Sequence, residues 1–261
     1  MNCEIDSRGV ATLSLARPGI HNAFNDELIQ QIIAKLIELE KNDDLRLLIL
    51  TGEGKSFCAG ADLNWMKSMK DYSFEENFAD SEKLNELFDK LNTFSRPVLG
   101  RVNGHALGGG VGLVACCDYV IASNKAKFGF TEVRLGLVPA VISPYCIAKI
   151  GESNARAWFL TGERFTTEQA LKMGLVHESC DLEQLDERVE AQVDRFLAAG
   201  PNGTKAAKTL INQVLSLENK SKKEIYQYTC ELISNLRIGE EGQEGMTALL
   251  EKRKANWILE K

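Results

Sequence analysis

The chain has 261 residues, of which 44% are apolar and 26% charged, and a formal net charge of −6. That length holds one large domain or two small ones around a sizeable core, and the acidic balance argues against non-specific nucleic-acid binding as the main activity. The seven cysteines form no C-x-x-C pair and the three histidines are scattered, so neither a disulfide framework nor a metal site is expected.

Buried thiols in a reducing cytoplasm fit the cysteines better. The N-terminus carries acids and no apolar core, unlike a signal peptide. The longest apolar run, residues 106–117, falls short of the ~20 residues a membrane helix needs. A cytoplasmic protein without a membrane partner is expected.

In chain order, residues 2–6 and 10–16 read as two strands joined by a Ser7-Arg8-Gly9 turn. Arg17-Pro18-Gly19 ends the second strand. Asn25 then caps a helix whose Leu28, Ile32, Ile33, Leu36, Ile37 and Leu39 recur at helical spacing. Leu45 to Leu50 reads as a central parallel strand. Gly54-Lys55-Ser56 imitates the end of a phosphate-binding loop, but the earlier glycine would fall at Ile49, which excludes that motif. The loop Phe57 to Asp62 leads into a polar helix through Met69, and residues 74–95 form a helix with Phe78, Leu84, Leu87, Phe88 and Leu91 on one side.

Pro97 to Asn103 reads as a buried strand broken by Gly104. Gly108, Gly109 and Gly110 then open a short helix of small residues. Gly110 to Ala115 fits G-x-G-x-x-A, yet the next strand, Tyr119 to Ser123, ends in Ser-Asn and lacks the acid of a dinucleotide site. A short helix begins near Thr131. Alternating strands and helices predict an α/β fold with a mostly parallel sheet. From Gly151 onward the pattern is almost wholly helical, over 168–173, 182–197, 203–217, 223–236 and 240–254. The composition shift near residue 200 predicts a helical tail whose apolar faces need the core or a neighbouring subunit.

Two small-residue loops at helix starts, 57–62 and 108–110, present free backbone N–H groups. Each suits an oxygen that becomes anionic during reaction. The competing readings are a tight helix-on-sheet contact for the glycines and a plain strand-to-helix turn capped by Asp62. Glu132, among Phe130, Val133 and Leu135, is the candidate acid/base, since burying an unpaired carboxylate is costly. An exposed surface acid is the alternative.

FCAGADL (57–63), VNGHALGGGVGLVACCD (102–118) and FGFTEVRLGLVPA (128–140), with EGMTALLEKRKANW (244–257), resemble the enoyl-CoA hydratase/isomerase, or crotonase, family. The resemblance runs from about Asn22 to Trp257. It implies a spiral of ββα units over 1–200, with an acyl-CoA site. It also implies a helical region over 201–261 that packs on the core and a neighbouring subunit in trimers or dimers of trimers. It implies no cofactor, because coenzyme A is part of the substrate. By position, the N–H groups of Ala61 and Gly109 would hold a thioester oxygen and Glu132 would move the proton. Asn22, Ala23, Ala59, Gly60, Asp62, Leu63, Gly108, Gly112, Thr131, Leu137 and Pro139 would line the substrate, and Lys252 and Lys254 would reach its phosphates.

One departure matters. Hydratases of this family usually carry a second glutamate where this chain has Gly112, whereas family isomerases commonly use one glutamate at the place of Glu132. The variant VGLVACCD followed by EVRLGLVPAVISPY resembles the subgroup acting on methylglutaconyl-CoA or carboxylated isoprenoid-CoA. The expected activity is therefore hydration of a branched or carboxylated enoyl-CoA, with double-bond isomerisation as the runner-up and a non-catalytic acyl-CoA- or RNA-binding member third. Ser143 and Tyr145 are candidates for holding water or a substrate carboxylate, with helix capping and core packing as the competing reading.

Overall fold

A computed structural model describes residues 1–216 and 221–258. Strands β1 (Asn2–Ile5) and β2 (Val10–Leu15) form the expected antiparallel hairpin. Helix α1 (Asp26–Glu40) starts where Asn25 accepts a hydrogen bond from the Leu28 N–H at 3.0 Å, and it buries Leu28, Ile29, Ile32, Leu36 and Leu39. Three strand–strand–helix units follow. The first is β3 (Leu47–Gly52), β4 (Ser56–Cys58), α2 (Leu63–Ser68) and α3 (Phe74–Asn92). The second is β5 (Val98–Val102), β6 (His105–Leu107) and α4 (Gly109–Ala115). The third is β7 (Tyr119–Ser123), β8 (Lys127–Gly129), a 3₁₀ turn (Thr131–Leu135) and α5 (Ser143–Phe159).

The two strands of each unit enter different sheets. One sheet has the order β1-β2-β3-β5-β7-β10 and is parallel from β2 onward; the other has the order β4-β6-β8-β9. The strands β9 (Arg164–Thr166) and β10 (Glu178–Cys180) flank α6 (Thr167–Lys172), so the stretch after Gly151 is not wholly helical. Three-residue strands are too short to show a period of two, which hid them inside a helical pattern. Gly151 itself has φ 73° and ψ 162° and breaks α5 into two helical pieces. The apolar run of β3 is buried throughout, as a strand covered on both faces requires.

The remaining helices are α7 (Leu185–Leu197), α8 (Pro201–Ser216), α9 (Lys222–Ile238) and α10 (Glu240–Leu250). Leu217, the expected end of one of them, lies outside the described residues. The chain forms two compact units, Met1–Phe94 with Val98–Glu190, and Ser95–Pro97 with Ala191–Lys261. Within the second, the Glu241 carboxylate accepts from the N–H groups of Asn202 and Gly203 at the start of α8, at 2.8 and 2.7 Å. Lys208 donates to the Arg96 carbonyl at 3.1 Å. Val214, Leu249 and Leu250 of this unit are exposed, while Leu210, Leu232 and Leu236 are half-covered. Among the described residues no helix is long and apolar enough to cross a membrane.

Candidate active site

The second sheet brings the chemistry together. β4, β6 and β8 are parallel neighbours, with Cys58 opposite Ala106 and Ala106 opposite Phe128. Ala61 comes three residues after Cys58, Gly109 three after Ala106, and Glu132 four after Phe128. Parallel strands run in step, so these three residues leave the sheet at the same end, on chains about 4.8 Å apart.

The segment before α1 fixes the first loop. Phe24 bridges Ala61 in parallel: the Phe24 N–H donates to Gly60 O at 2.7 Å and the Asp62 N–H to Phe24 O at 2.8 Å. Residues 60 and 62 thus supply the bonds, and the N–H of Ala61 points to the opposite side of its strand. Gly109 is the first residue of α4, where no intrahelical acceptor exists. Neither N–H has an acceptor among the described residues. Gly108, just before it, has φ 52° and ψ −124°, a conformation that glycine alone adopts readily.

A Cβ on Gly108 would lie 3.1 Å from Glu132 Oε1, so the carboxyl group sits directly over the glycine turn. Oε2 of Glu132 is buried without a hydrogen-bond partner among the described residues. Burial pushes the Glu132 carboxyl above the ordinary glutamate range. A raised carboxyl beside two unfilled N–H donors has the make-up that an acid/base next to an oxyanion hole requires. Cys58, on β4, and Cys146, close to Glu132, are no nucleophiles, since burial pushes Cys58 up to about 12 and raises Cys146 as well.

These groups open into a cavity of about 1320 Å³. Of the residues read from the sequence, Ala59, Gly60, Ala61, Leu63, Gly108, Gly109, Thr131, Glu132, Leu137 and Pro139 line it. Asn22, Ala23, Asp62 and Gly112 do not. Asn22 is fully buried and spends its side chain on the loop: it accepts from Arg17 N at 2.9 Å and donates to Glu53 O and Ser56 O at 2.9 and 2.8 Å. Asp62 caps α2 through the Asn64 N–H at 2.8 Å and pairs with Arg17 at 2.9 Å. Ser143 and Tyr145 also stay out of the cavity: the Ser143 hydroxyl donates to Ala140 O at 2.7 Å, and Tyr145 packs on Phe88. Lys252 and Lys254 are exposed in the second unit and lie past the end of α10, not within it. Lys252 takes φ 55°, the left-handed turn that stops a helix.

Sequence reading missed Trp65, Met69, Asp80, Leu84, Arg134 and Ile142 of the lining. The spacing of residues 77, 80, 81 and 84 along α3 is a signal that could have found that wall, because i, i+3, i+4 and i+7 share one helix face.

Residues 6–259 match the family described as enoyl-CoA hydratase/isomerase. The chain belongs to that family. It is 32% identical to the crotonyl-CoA hydratase of Syntrophomonas wolfei, over 95% of this chain and 94% of that protein. It is likewise 32% identical to the 2,3-dehydroadipyl-CoA hydratase of Escherichia coli, over 94% of this chain and 93% of that one. The crystal structure of an enoyl-CoA hydratase from Shewanella pealeana superposes with a TM-score of 0.92 at 39% identity, covering 98% of this chain and 94% of that one.

Within the enoyl-CoA hydratase/isomerase family, the departure at Gly112 has a structural partner. A Cβ there would overlap Ile142 Cγ2 and lie 2.8 Å from Phe88 Cε1. The space for a second acid on α4 is already filled. Gly112→Glu is therefore expected to lower stability by about 1–3 kcal/mol, the cost of overpacking, and to gain no activity. Denaturant unfolding together with a turnover assay would check both.

Proposed function

We propose that this protein adds water across the 2,3 double bond of an enoyl-CoA thioester, and that the acyl group is branched or carboxylated, as in 3-methylglutaconyl-CoA. The observation that carries the reading is the convergence of Ala61, Gly109 and Glu132 at one end of three parallel strands. Two of the relatives are named as enoyl-CoA hydratases of defined substrates, and dehydroadipyl denotes an acyl group with a carboxyl at its far end.

The N–H groups of Ala61 and Gly109 would take the thioester oxygen, drawing electrons from the double bond. Glu132 would accept a proton from water as the hydroxide oxygen bonds to C3. The enolate oxygen that results is stabilised by the two donors. Glu132 would then hand the same proton to C2, leaving a 3-hydroxyacyl-CoA and an ionised carboxylate. One glutamate closes this cycle, since the proton it takes is the proton it returns. The cavity is apolar at Leu63, Leu137, Val138 and Ile142, which suits an acyl chain.

Double-bond isomerisation is the second reading, favoured by the absence of any acid or room for one at Gly112. A turnover panel of crotonyl-CoA, 3-methylglutaconyl-CoA and a 3-enoyl-CoA in ¹⁸O-labelled water separates the two. Hydration places solvent oxygen in the product; movement of the double bond without labelled oxygen would replace hydration by isomerisation.

The assembly proposed is a trimer or dimer of trimers, with the exposed Val214, Leu249 and Leu250 of the second unit covered by a neighbour. Light scattering at micromolar concentration is expected to give three or six chain masses, and a single chain mass would reject this assembly.

A further inference from the structure

The lining of the cavity carries charge on two sides. Lys70 and Asp80, one charge of each sign, stand on the side of α2 and α3. The other side is built from the 3₁₀ turn after β8 and the segment that enters β9, and it carries Glu132, Arg134, Glu163 and Arg164. Glu132 has the proton transfer. The arginines have no task in it.

Both arginines are held by their stems. The Arg134 side chain lies across Gly162, where a Cβ would come within 2.9 Å of Arg134 Cγ and 3.3 Å of its Nε. Gly162 takes φ 62°, which would strain any other residue. Arg134 Nε donates to Thr161 O at 3.4 Å, and among the described residues both Nη groups are left without an acceptor. Arg164 pairs with Gly129 across β8 and β9, its Cγ 3.3 Å from the place of a Gly129 Cβ. Its guanidinium has no hydrogen bond or ion pair among the described residues. Neither Glu132 nor Glu163 forms an ion pair with either arginine.

The pair is also close to the reacting groups. The Gly108 N–H donates to Gly129 O at 2.9 Å, so the strand beside Arg164 is bonded to the glycine turn under Glu132. In the order β4-β6-β8-β9, Arg164 stands two strand spacings, about 10 Å, from β6, whose end leads into Gly109. A guanidinium presents a planar fork of N–H donors that matches a carboxylate. Two such forks without an acid between them call for an anion, and the thioester oxygen is already taken by backbone donors. Asp80 repels a carboxylate from the side of α3.

We propose that Arg134 and Arg164 bind a carboxylate carried on the acyl group, with Arg134 as the specificity-determining residue and Arg164 as the second fork. The inference rests on the enoyl-CoA reading above and names what would hold a carboxylated acyl group in this cavity.

An acyl-CoA offers anions from a second source, the phosphates of its coenzyme A. The test is therefore the ratio of kcat/KM for 3-methylglutaconyl-CoA to that for crotonyl-CoA. Both carry the same phosphates, so the ratio reports on the acyl carboxylate alone. Arg134→Gln is expected to lower the ratio about tenfold or more, the scale for losing a hydrogen bond to a charged group. Arg164→Gln should lower it in the same direction. Arg134→Lys keeps the charge without the fork, and its ratio should fall between those of the unaltered and glutamine proteins. In the unaltered protein the ratio should drop as salt is raised, because the attraction is screened, and the double glutamine variant should lose most of that drop. An unchanged ratio in both glutamine variants overturns the inference, and so does a ratio in the unaltered protein that ignores salt. An equal loss on both substrates also overturns it, and gives the arginines to the phosphates. Hydration of crotonyl-CoA with none of 3-methylglutaconyl-CoA overturns this inference and leaves hydration standing. Hydration of neither overturns both.

Discussion

Glu132→Gln is expected to remove most turnover, by about 10²–10⁴-fold, the range for losing a general acid–base group, while binding of acetoacetyl-CoA in calorimetry stays. The amide has the shape of the carboxyl group but cannot carry the proton from water to C2. The same change should make the protein harder to unfold at neutral pH. Burial raises the Glu132 carboxyl in the folded state. The folded protein therefore binds a proton in a pH window where the unfolded chain has released it. Stability from this group is complete below the unfolded pKa and is lost as pH rises through the folded one. A neutral glutamine removes that loss. A thermal melt at neutral pH that rises while turnover falls is the expected pair of results, and full turnover in the glutamine variant would dismiss Glu132 as the proton carrier.

The second large effect is expected at Gly109. A Cβ on this residue would come within 2.7 Å of Phe24 Cε2, and Phe24 is locked edge-on against Phe88 with ring centres 6.4 Å apart. Gly109→Val must push one of these rings or tilt the first turn of α4. A tilted turn swings the Gly109 N–H away from the thioester oxygen, and a displaced Phe24 disturbs the segment that fixes the Ala61 loop. Turnover should fall about 10²–10³-fold, the loss seen when one oxyanion donor is removed, with a far-UV spectrum and unfolding midpoint that show a folded protein. Near-normal turnover in the folded variant would place the oxygen elsewhere. The substitution loses catalysis through a backbone group that carries no side chain of its own.

The end of the cavity that holds Ala61, Gly109 and Glu132 was legible because each of its groups has a local signature. Glycines and alanines at helix starts expose N–H groups, and an acid inside an apolar run is out of place. The wall opposite was not legible in the same way. Trp65 falls in a segment read as a polar helix, and Asp80 in a helix read only for its apolar side; the packing of α2 and α3 around the cavity is what brings both to its lining. Asn22 and Asp62 show the converse. Both belong to the right segment, but their side chains hold loops together, and sequence cannot tell a residue that touches a ligand from one that holds its neighbour in place. The second sheet went unseen for a different reason. Its strands are three residues long, and their pairing partners lie about 22 to 49 positions away.

The three-strand ladder also decides where the chain can change its length. Ala61, Gly109 and Glu132 are counted off from fixed partners by spacers of three or four residues. Removing one residue from any spacer would shift its group by about 3.3 Å, more than the few tenths of an ångström a hydrogen bond tolerates. The stretch from Leu63 to Asn92 has no such gauge. It is tied to the ladder at its start, where Asp62 bonds to Phe24 and Arg17, and again near its end, where Leu87, Phe88 and Leu91 are buried in the core and Phe88 packs edge-on against Phe24; between those two ties it borders the cavity. Insertions and deletions there alter the shape of the acyl compartment and leave the donors and the acid in register. Lineages of such a chain can thus drift from one acyl group to another by gaining or losing residues in one segment, with the reaction itself inherited intact.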